Sequence, residues 1–417
     1  MRIGMFTDTY HPAVNGVSFV IDITKRGLEE LGHEVYLFAP KPGVRGEDSN
    51  DPYIIRYPAI KGVSWEEDMT SMFFPPREIK RIKNLELDLI HFFTPDQVGL
   101  LGALAAIKND TPLVAQYSTD IIEYARYYPG VLKALLAFPI GAPLLLKDMS
   151  KHWRKIVPFL ESGGNNGLDM WRQRFVVQFI NALHAKTGTV LALSPKMYNK
   201  LMSFDPDYDI TLLPTGVNPS PEDKTAAQEL RDELKLNGKK VVLSVGRLGQ
   251  EKNIELLIEA FSLLREQNEN VFLLIVGGGE YAKTLEKISA EILPPDSYHF
   301  SGIIEHELLP AYYGASDVFA FPSLTDTQGL VLNEAAGQSL PIVAIDKQVN
   351  EVAEEGKNTL YAMNNEVDFC SKLTELLENE ELNDEYSKAS RELAAKFDEK
   401  TQIKKLVEIY ESIIARH

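Results

Sequence analysis

Short apolar runs, bounded by turn formers and followed by helical patterns, recur along this chain and limit its fold more than any other feature. In the first half they are Ile3–Phe6, Val35–Ala39, Leu87–Phe93, Pro112–Tyr117, Val190–Leu193 and Ile210–Leu213. In the second they are Val241–Val245, Val271–Val276, Tyr298–Gly302, Asp317–Pro322 and Pro341–Ile345. Runs this short read as strands, and near-continuous apolarity means burial on both faces of a sheet. Their alternation with helices, such as Ser18–Leu31, Gln97–Ile107 and Pro195–Ser203, predicts the α/β class with parallel sheets. Ligands of such sheets bind outside the C-terminal ends of the strands. Pro214–Pro221 is dense in turn formers near the midpoint, so two domains are expected, 1–217 and 218–400. The chain's 417 residues are enough for each to bury its own core. The amphipathic segment 401–417 is expected to pack back on the first domain.

Charge and cysteine usage exclude several functions. The formal net charge of −17 lies almost wholly beyond residue 218, and the first half is nearly balanced. A general nucleic-acid role, which needs a basic face, is disfavoured. The lone Cys370 rules out an intrachain disulfide and a multi-cysteine zinc site. Arg2–Phe6 runs straight into Thr7-Asp8-Thr9 and does not read as a signal peptide, so a cytoplasmic location is expected. The segment of about 127–170 breaks the strand–helix rhythm. Within it, apolar Val131–Leu146 precedes Lys147, Lys151, Trp153, Arg154 and Lys155. Residues 131–155 therefore read either as an interfacial segment touching an anionic membrane surface or as a helical hairpin packed on its own domain.

Several loops carry candidate chemistry. Thr7–Val17 joins the first strand to the first helix without the G-x-G-x-x-G dinucleotide fingerprint, which disfavours a nicotinamide enzyme. It ends in Asn15-Gly16, where a bare glycine lets a phosphate approach the backbone or simply makes a turn. His91, Ser118 and Asp120 fall at or near strand ends; a buried structural histidine and a helix-capping aspartate are the plain readings of the first and last. In the second half, Arg247 and Lys252 follow the strand Val241–Val245. They suit a bound diphosphate, or else pair locally with Glu251 and Glu255. Gly277, Gly279 and Ala282 formally fit G-x-G-x-x-A, a weak signal. The segment Ser323–Gln338 is a strand–loop–helix unit with Asp326 in its loop and Glu334 in its helix. Eight residues at helical rise cover roughly 12 Å. That suits a ligand with a polyol at each end and an anion between, seated on the amides of Thr327 to Leu330. The alternative is a capping Asp326 and a solvated Glu334.

Together Thr7–Val17, His91–Gly99, Pro214–Asn218, Gly246–Asn253 and Thr325–Ala335 resemble family 4 of the retaining nucleotide-sugar glycosyltransferases. The resemblance spans essentially the whole chain. The wording of Thr-Asp-Thr-Tyr…Asn-Gly-Val and Thr-Gln-Gly-Leu looks most like bacterial members that glycosylate diacylglycerol. It implies the GT-B fold: two Rossmann-like, doubly wound parallel-sheet domains facing a central cleft. It also implies donor-binding roles for Gly16, Arg247, Lys252, Thr327, Gln328, Gly329, Leu330 and Glu334, the last at the ribose. Asp326 would contact the transferred sugar and, with Asp120, is the catalytic candidate; His91 and Ser118 are acceptor-side candidates. No metal or cofactor is implied beyond the nucleotide sugar itself. Two departures stand out: Asp326 where the family usually has Glu, and Ser118 where many members have His, for which Asp120, Thr119 or His11 could compensate. The activity implied is transfer of a hexose, glucose from UDP-glucose, to a lipid or glycan hydroxyl, with the protein peripheral on the inner membrane face. A soluble acceptor, or nucleotide-sugar binding without turnover, are the competing readings.

Overall fold

A computed structural model describes residues 1–13, 15–42, 51–61, 69–71, 75–120, 187–204, 207, 209–219 and 221–417. The inserted segment of about 127–170, its membrane reading at 131–155 and the helix expected over Met170–Lys186 lie outside the described residues. The chain divides into two compact units: Met1–Pro214 with Gln402–His417, and Thr215–Thr401.

In the first unit a seven-stranded sheet runs in the order β3-β2-β1-β6-β7-β8-β9. Its strands are β1 (Arg2–Phe6), β2 (Glu34–Pro40), β3 (Ile54–Tyr57), β6 (Leu89–Phe92), β7 (Leu113–Tyr117), β8 (Thr189–Ala192) and β9 (Ile210–Leu212). All neighbours pair in parallel. A separate antiparallel hairpin joins β4 (Ala59–Lys61) to β5 (Met69–Ser71). Among the described residues up to 214 the helices are α1 (Gly16–Glu30), α2 (Pro75–Lys83), α3 (Gln97–Asn109) and α4 (Pro195–Phe204). Helix α1 starts where it does because Asn15 and Ser18 form a reciprocal capping box. The buried faces of the apolar strands and of α3 meet in one core, where Phe6 stacks on Phe38 at 4.1 Å.

In the second unit six parallel strands run β12-β11-β10-β13-β14-β15. They are β10 (Lys240–Val245), β11 (Val271–Val276), β12 (Tyr298–Phe300), β13 (Val318–Phe321), β14 (Ile342–Ala344) and β15 (Thr359–Tyr361). In its own numbering this is the 3-2-1-4-5-6 order of nucleotide-binding α/β sheets. Helices α5 (Lys224–Glu233), α6 (Ile254–Gln267), α7 (Ala282–Ile292), α8 (Leu309–Gly314), α9 (Leu330–Gly337), α10 (Glu366–Glu378) and α11 (Glu380–Ala394) cover it, with a core on each face.

The last helix, α12 (Glu399–Arg416), begins in the second unit and continues as part of the first. Its buried stripe of Ile403, Leu406, Tyr410 and Ile413 has helical spacing. Ile403 lies against Gly27 and Ile413 against Gly188, positions where a Cβ would come within 2.7 Å and 2.6 Å of them.

Candidate active site

Strand order reverses between β10 and β13 in the second unit, and α/β sheets take their ligands beyond the C-terminal strand ends at such a reversal. The loops leaving these strands, Gly246–Asn253 and Pro322–Gly329, are the two segments singled out by their charges. Three contacts join them. Lys252 Nζ donates to Asp326 Oδ1 at 2.6 Å, Thr325 Oγ1 to the Glu251 carbonyl at 3.3 Å, and Asn253 Nδ2 to the Pro322 carbonyl at 3.2 Å. Arg247 forms ion pairs with Glu251, which is buried, and with the exposed Glu280 at 3.1 Å. The expected partner Glu251 is thus joined by Glu280 of the glycine-rich loop rather than by Glu255, whose carboxylate accepts from Tyr281.

Helix α9 opens at Gly329, whose φ of +64° and ψ of 64° place it in the left-handed region, with no side-chain cap. A Cβ at Gly329 would meet Phe321 Cζ at 2.9 Å, so glycine is required twice over. The loop is fixed from its carbonyl side. Asn350 Nδ2 donates to the Gln328 and Gly329 carbonyls at 2.9 and 3.3 Å and to Asn333 Oδ1 at 2.6 Å. The Gln328 side chain, only 3% exposed, bonds both backbone groups of Thr215, at 3.1 and 2.9 Å, and so ties the loop to the start of the linker. An uncapped helix start beside two cations is an anion-binding arrangement.

Glu334 stands on the second turn of α9. Tyr313 Oη donates to its Oε2 at 2.7 Å, and His306 Nε2 lies 3.5 Å from its Oε1. Burial raises the Tyr313 phenol well above its ordinary value, so it stays a donor. The hydrogen bond with Glu334 raises the His306 imidazole. Ile303, 86% exposed in the loop after β12, offers an apolar face at the same sheet edge.

The first unit reverses strand order between β1 and β6. There Asp8 accepts from Thr94 Oγ1 at 2.7 Å and from the backbone amides of Asp96, Val98 and Gly99 at the start of α3. Burial pushes its carboxyl up to about 6, against the pull of those hydrogen bonds. Gly99 is forced, because a Cβ there would lie 1.7 Å from the Thr94 carbonyl. Gly16 is the first residue of α1, and a Cβ on it would meet nothing within 4 Å. Asp120 is buried and ion-paired with Lys200 of α4, and Ser118 Oγ accepts from Gln116 at 3.0 Å. In the loop after β1, His11 Nε2 lies 2.6 Å from Oδ2 of Asp22 on α1, and Tyr10 Oη donates to Asp22 Oδ1 at 2.7 Å.

His91, expected near a strand end as an acceptor-side contact, sits instead in the sheet interior, fully buried and paired across to Met5 and Val114. Its Nδ1 bonds Tyr410 Oη at 2.6 Å and its ring stacks on Phe93 at 4.1 Å, which pins α12 to the sheet. Burial lowers its imidazole to about 3, so it is neutral. The plain alternative, a buried structural histidine, describes this geometry, with Nδ1 bonded and Nε2 without a partner among the described residues.

Sequence reasoning assigned Lys252 and Asp326 to one site without pairing them, and missed Asp8, Glu280, His306, Tyr313 and Asn350. Asp8 and Glu280 lay inside loops already marked by their turn residues. His306 and Tyr313 act through a fold-level approach that no spacing announces.

Two family profiles match this chain: "Glycosyltransferase Family 4" over residues 14–221 and "Glycosyl transferases group 1" over 226–393. The alpha-monoglucosyldiacylglycerol synthase of Acholeplasma laidlawii is 30% identical over 396 residues, covering 92% of this chain and 89% of that protein. The chain belongs to the group 1 and family 4 glycosyltransferases. A synthase of the same name from Streptococcus pneumoniae is 29% identical, covering 82% of this glycosyltransferase and 71% of its relative. Among solved structures, sucrose-phosphate synthase of Thermosynechococcus elongatus superposes with a TM-score of 0.73 at 18% identity, covering 100% of both chains. HepE of Anabaena, in complex with UDP-glucose, gives a TM-score of 0.69 at 16% identity, covering 99% of this chain and 100% of that one. These likenesses show the GT-B fold of two parallel-sheet, Rossmann-like domains. Among the described residues no cluster of His, Cys, Asp or Glu could hold a metal ion, and no helix is long and apolar enough to cross a membrane.

Proposed function

We propose that this glycosyltransferase moves glucose from UDP-glucose to a hydroxyl of a membrane lipid, with retention of configuration and without a metal ion. The observation that carries the proposal is the meeting of the two charged loops beyond the C-terminal ends of β10 and β13. There Arg247, Lys252 and the start of α9 offer the hydrogen-bond donors that a leaving diphosphate needs. Glu334, held by Tyr313, is assigned to the ribose hydroxyls, the exposed face of Ile303 to the base, and backbone from Thr327 to Leu330 to the diphosphate. Asp326 is assigned to the hydroxyls of the transferred sugar, and Gly16 to leaving space for the phosphates. In the first unit Asp120 and Ser118 are assigned to the acceptor side, Asp120 oriented by Lys200. Retention follows if the acceptor attacks an oxocarbenium-like sugar on the face the diphosphate leaves, which then takes the acceptor's proton. The lipid acceptor is carried over from the two diacylglycerol-glucosylating relatives, and the UDP-glucose donor from the liganded HepE structure.

Helix α2 supports a membrane-surface role. Its Arg77, Lys80, Arg81 and Lys83 are exposed while Ile82 is buried, so a cationic face projects from the less acidic half of the chain. The deciding experiment is titration calorimetry with UDP on Arg247→Ala and Lys252→Ala, each expected to weaken affinity by about tenfold or more. Unchanged affinity in both removes the donor-site reading. UDP release from UDP-glucose with diacylglycerol vesicles tests the acceptor, and no release across a panel of lipids would reject it.

A further inference from the structure

We propose that Asp326 makes the site discriminate between the sugar-bearing donor and the spent nucleoside diphosphate, by acting as the counter-anion of Lys252 when no sugar is present. The inference rests on the donor reading above, in which Lys252 holds the diphosphate.

The pair is built into the two loops rather than formed by a chance meeting of mobile side chains. The residues on either side of it are tied across by Thr325 to the Glu251 carbonyl and by Asn253 to the Pro322 carbonyl. Both side chains are largely covered, at 23% exposure for Lys252 and 17% for Asp326, so their attraction is less screened than that of a surface pair. Arg247 is held differently. Its buried partner Glu251 lies four residues on, and a guanidinium with five donors can keep that bond while binding a phosphate. The Lys252 ammonium is a compact point charge, and a diphosphate that reaches it must sit beside the Asp326 carboxylate.

What happens to that carboxylate decides which ligand is favoured. A hexose on the diphosphate presents hydroxyl donors, and Asp326 exchanges its contact with Lys252 for hydrogen bonds to them. A nucleoside diphosphate alone offers no donor there. Asp326 then stays on Lys252, where it opposes the phosphate charge, and the spent nucleotide is held less tightly than the cations alone would hold it. The same carboxylate that engages the sugar thereby speeds clearance of the site after transfer.

The test measures UDP and UDP-glucose affinities by calorimetry, without acceptor, for Asp326→Asn, Asp326→Glu, Lys252→Ala and the Lys252→Ala/Asp326→Asn double variant. Asp326→Asn should bind UDP about threefold to tenfold tighter and UDP-glucose more weakly than the wild type, so that inhibition by UDP deepens. Asp326→Glu keeps the charge and should leave UDP affinity within about twofold. The gain in UDP affinity should vanish in the Lys252→Ala background. A general reduction of negative charge would instead tighten UDP equally with or without Lys252, and that result would overturn the proposal. So would unchanged or weaker UDP binding by Asp326→Asn while Lys252→Ala alone still weakens UDP. If Lys252→Ala has no effect on UDP, the failure lies in the donor reading itself. Thermal midpoints of all variants confirm folding, and Asp326→Ser replaces the Asn variant if that one does not fold.

Discussion

Both units bring a helix N-terminus to the place where strand order reverses, and they treat it in opposite ways. In the first, the amides at the start of α3 are taken by the protein's own carboxylate, Asp8, delivered by the loop after β1. In the second, the equivalent helix α9 has no side-chain cap, and the loop after β10 delivers a cation, Lys252, instead of an acid. One topology therefore yields a site that carries its own anion and a site arranged to receive one. The more acidic half of the chain keeps Arg247 and Lys252 at its strand ends, each beside an acidic partner that neutralises it until a ligand arrives.

The contrast can be broken most severely at Asp8. Asp8→Ala should destabilise the first unit by about 3–5 kcal/mol, because buried amides lose a charged acceptor. Denaturant melts monitor this loss, while UDP affinity of the folded protein should not change. A variant that unfolds like the wild type would show that α3 needs no internal anion. The next largest effect is expected at Gly329→Val, which strains a left-handed residue and pushes against Phe321. It should weaken UDP binding by about tenfold or more in calorimetry, and retained affinity would mean the α9 amides do not hold the ligand. The smallest effect separates fold from site in the first unit. His91 is neutral in the fold, with its imidazole lowered to about 3. The unfolded chain takes up a proton below about pH 6.5 that the folded chain refuses, so stability should fall as pH drops from there toward 3. Replacing both partners, His91→Phe with Tyr410→Phe, should flatten that decline by a few degrees of thermal midpoint between pH 7 and 5. An unchanged slope would place the acid sensitivity elsewhere.

Apolar runs announced most strands within a residue or two, because consecutive buried positions leave a pattern that survives without tertiary information. The strand β3 was not legible, since Ile54-Ile55-Arg56-Tyr57 is interrupted by a guanidinium that the fold satisfies on the Pro40 carbonyl at 2.7 Å. Nor was α5, which buries little more than Ala227 and shows no apolar stripe. At the site, Lys252 and Asp326 were legible as charges in adjacent strand-end loops, although 74 residues separate them in the chain. Their contact, and the opposite fate of His91, depended on which strands lie side by side.

The sequence by itself determined the α/β alternation and the family to which the chain belongs. Each of these is written in residues close together in the chain, where backbone preference and side-chain period act locally. Only the tertiary structure decided that Asp8 would occupy one helix start while α9 was left without a side-chain cap. Only it placed Tyr313 and His306 on Glu334, and turned His91 into a fastening for the last helix. Those outcomes depend on strand order and on the loss of solvent around particular groups. Hydrogen bonding and ionisation respond to both, and neither is encoded at any single position.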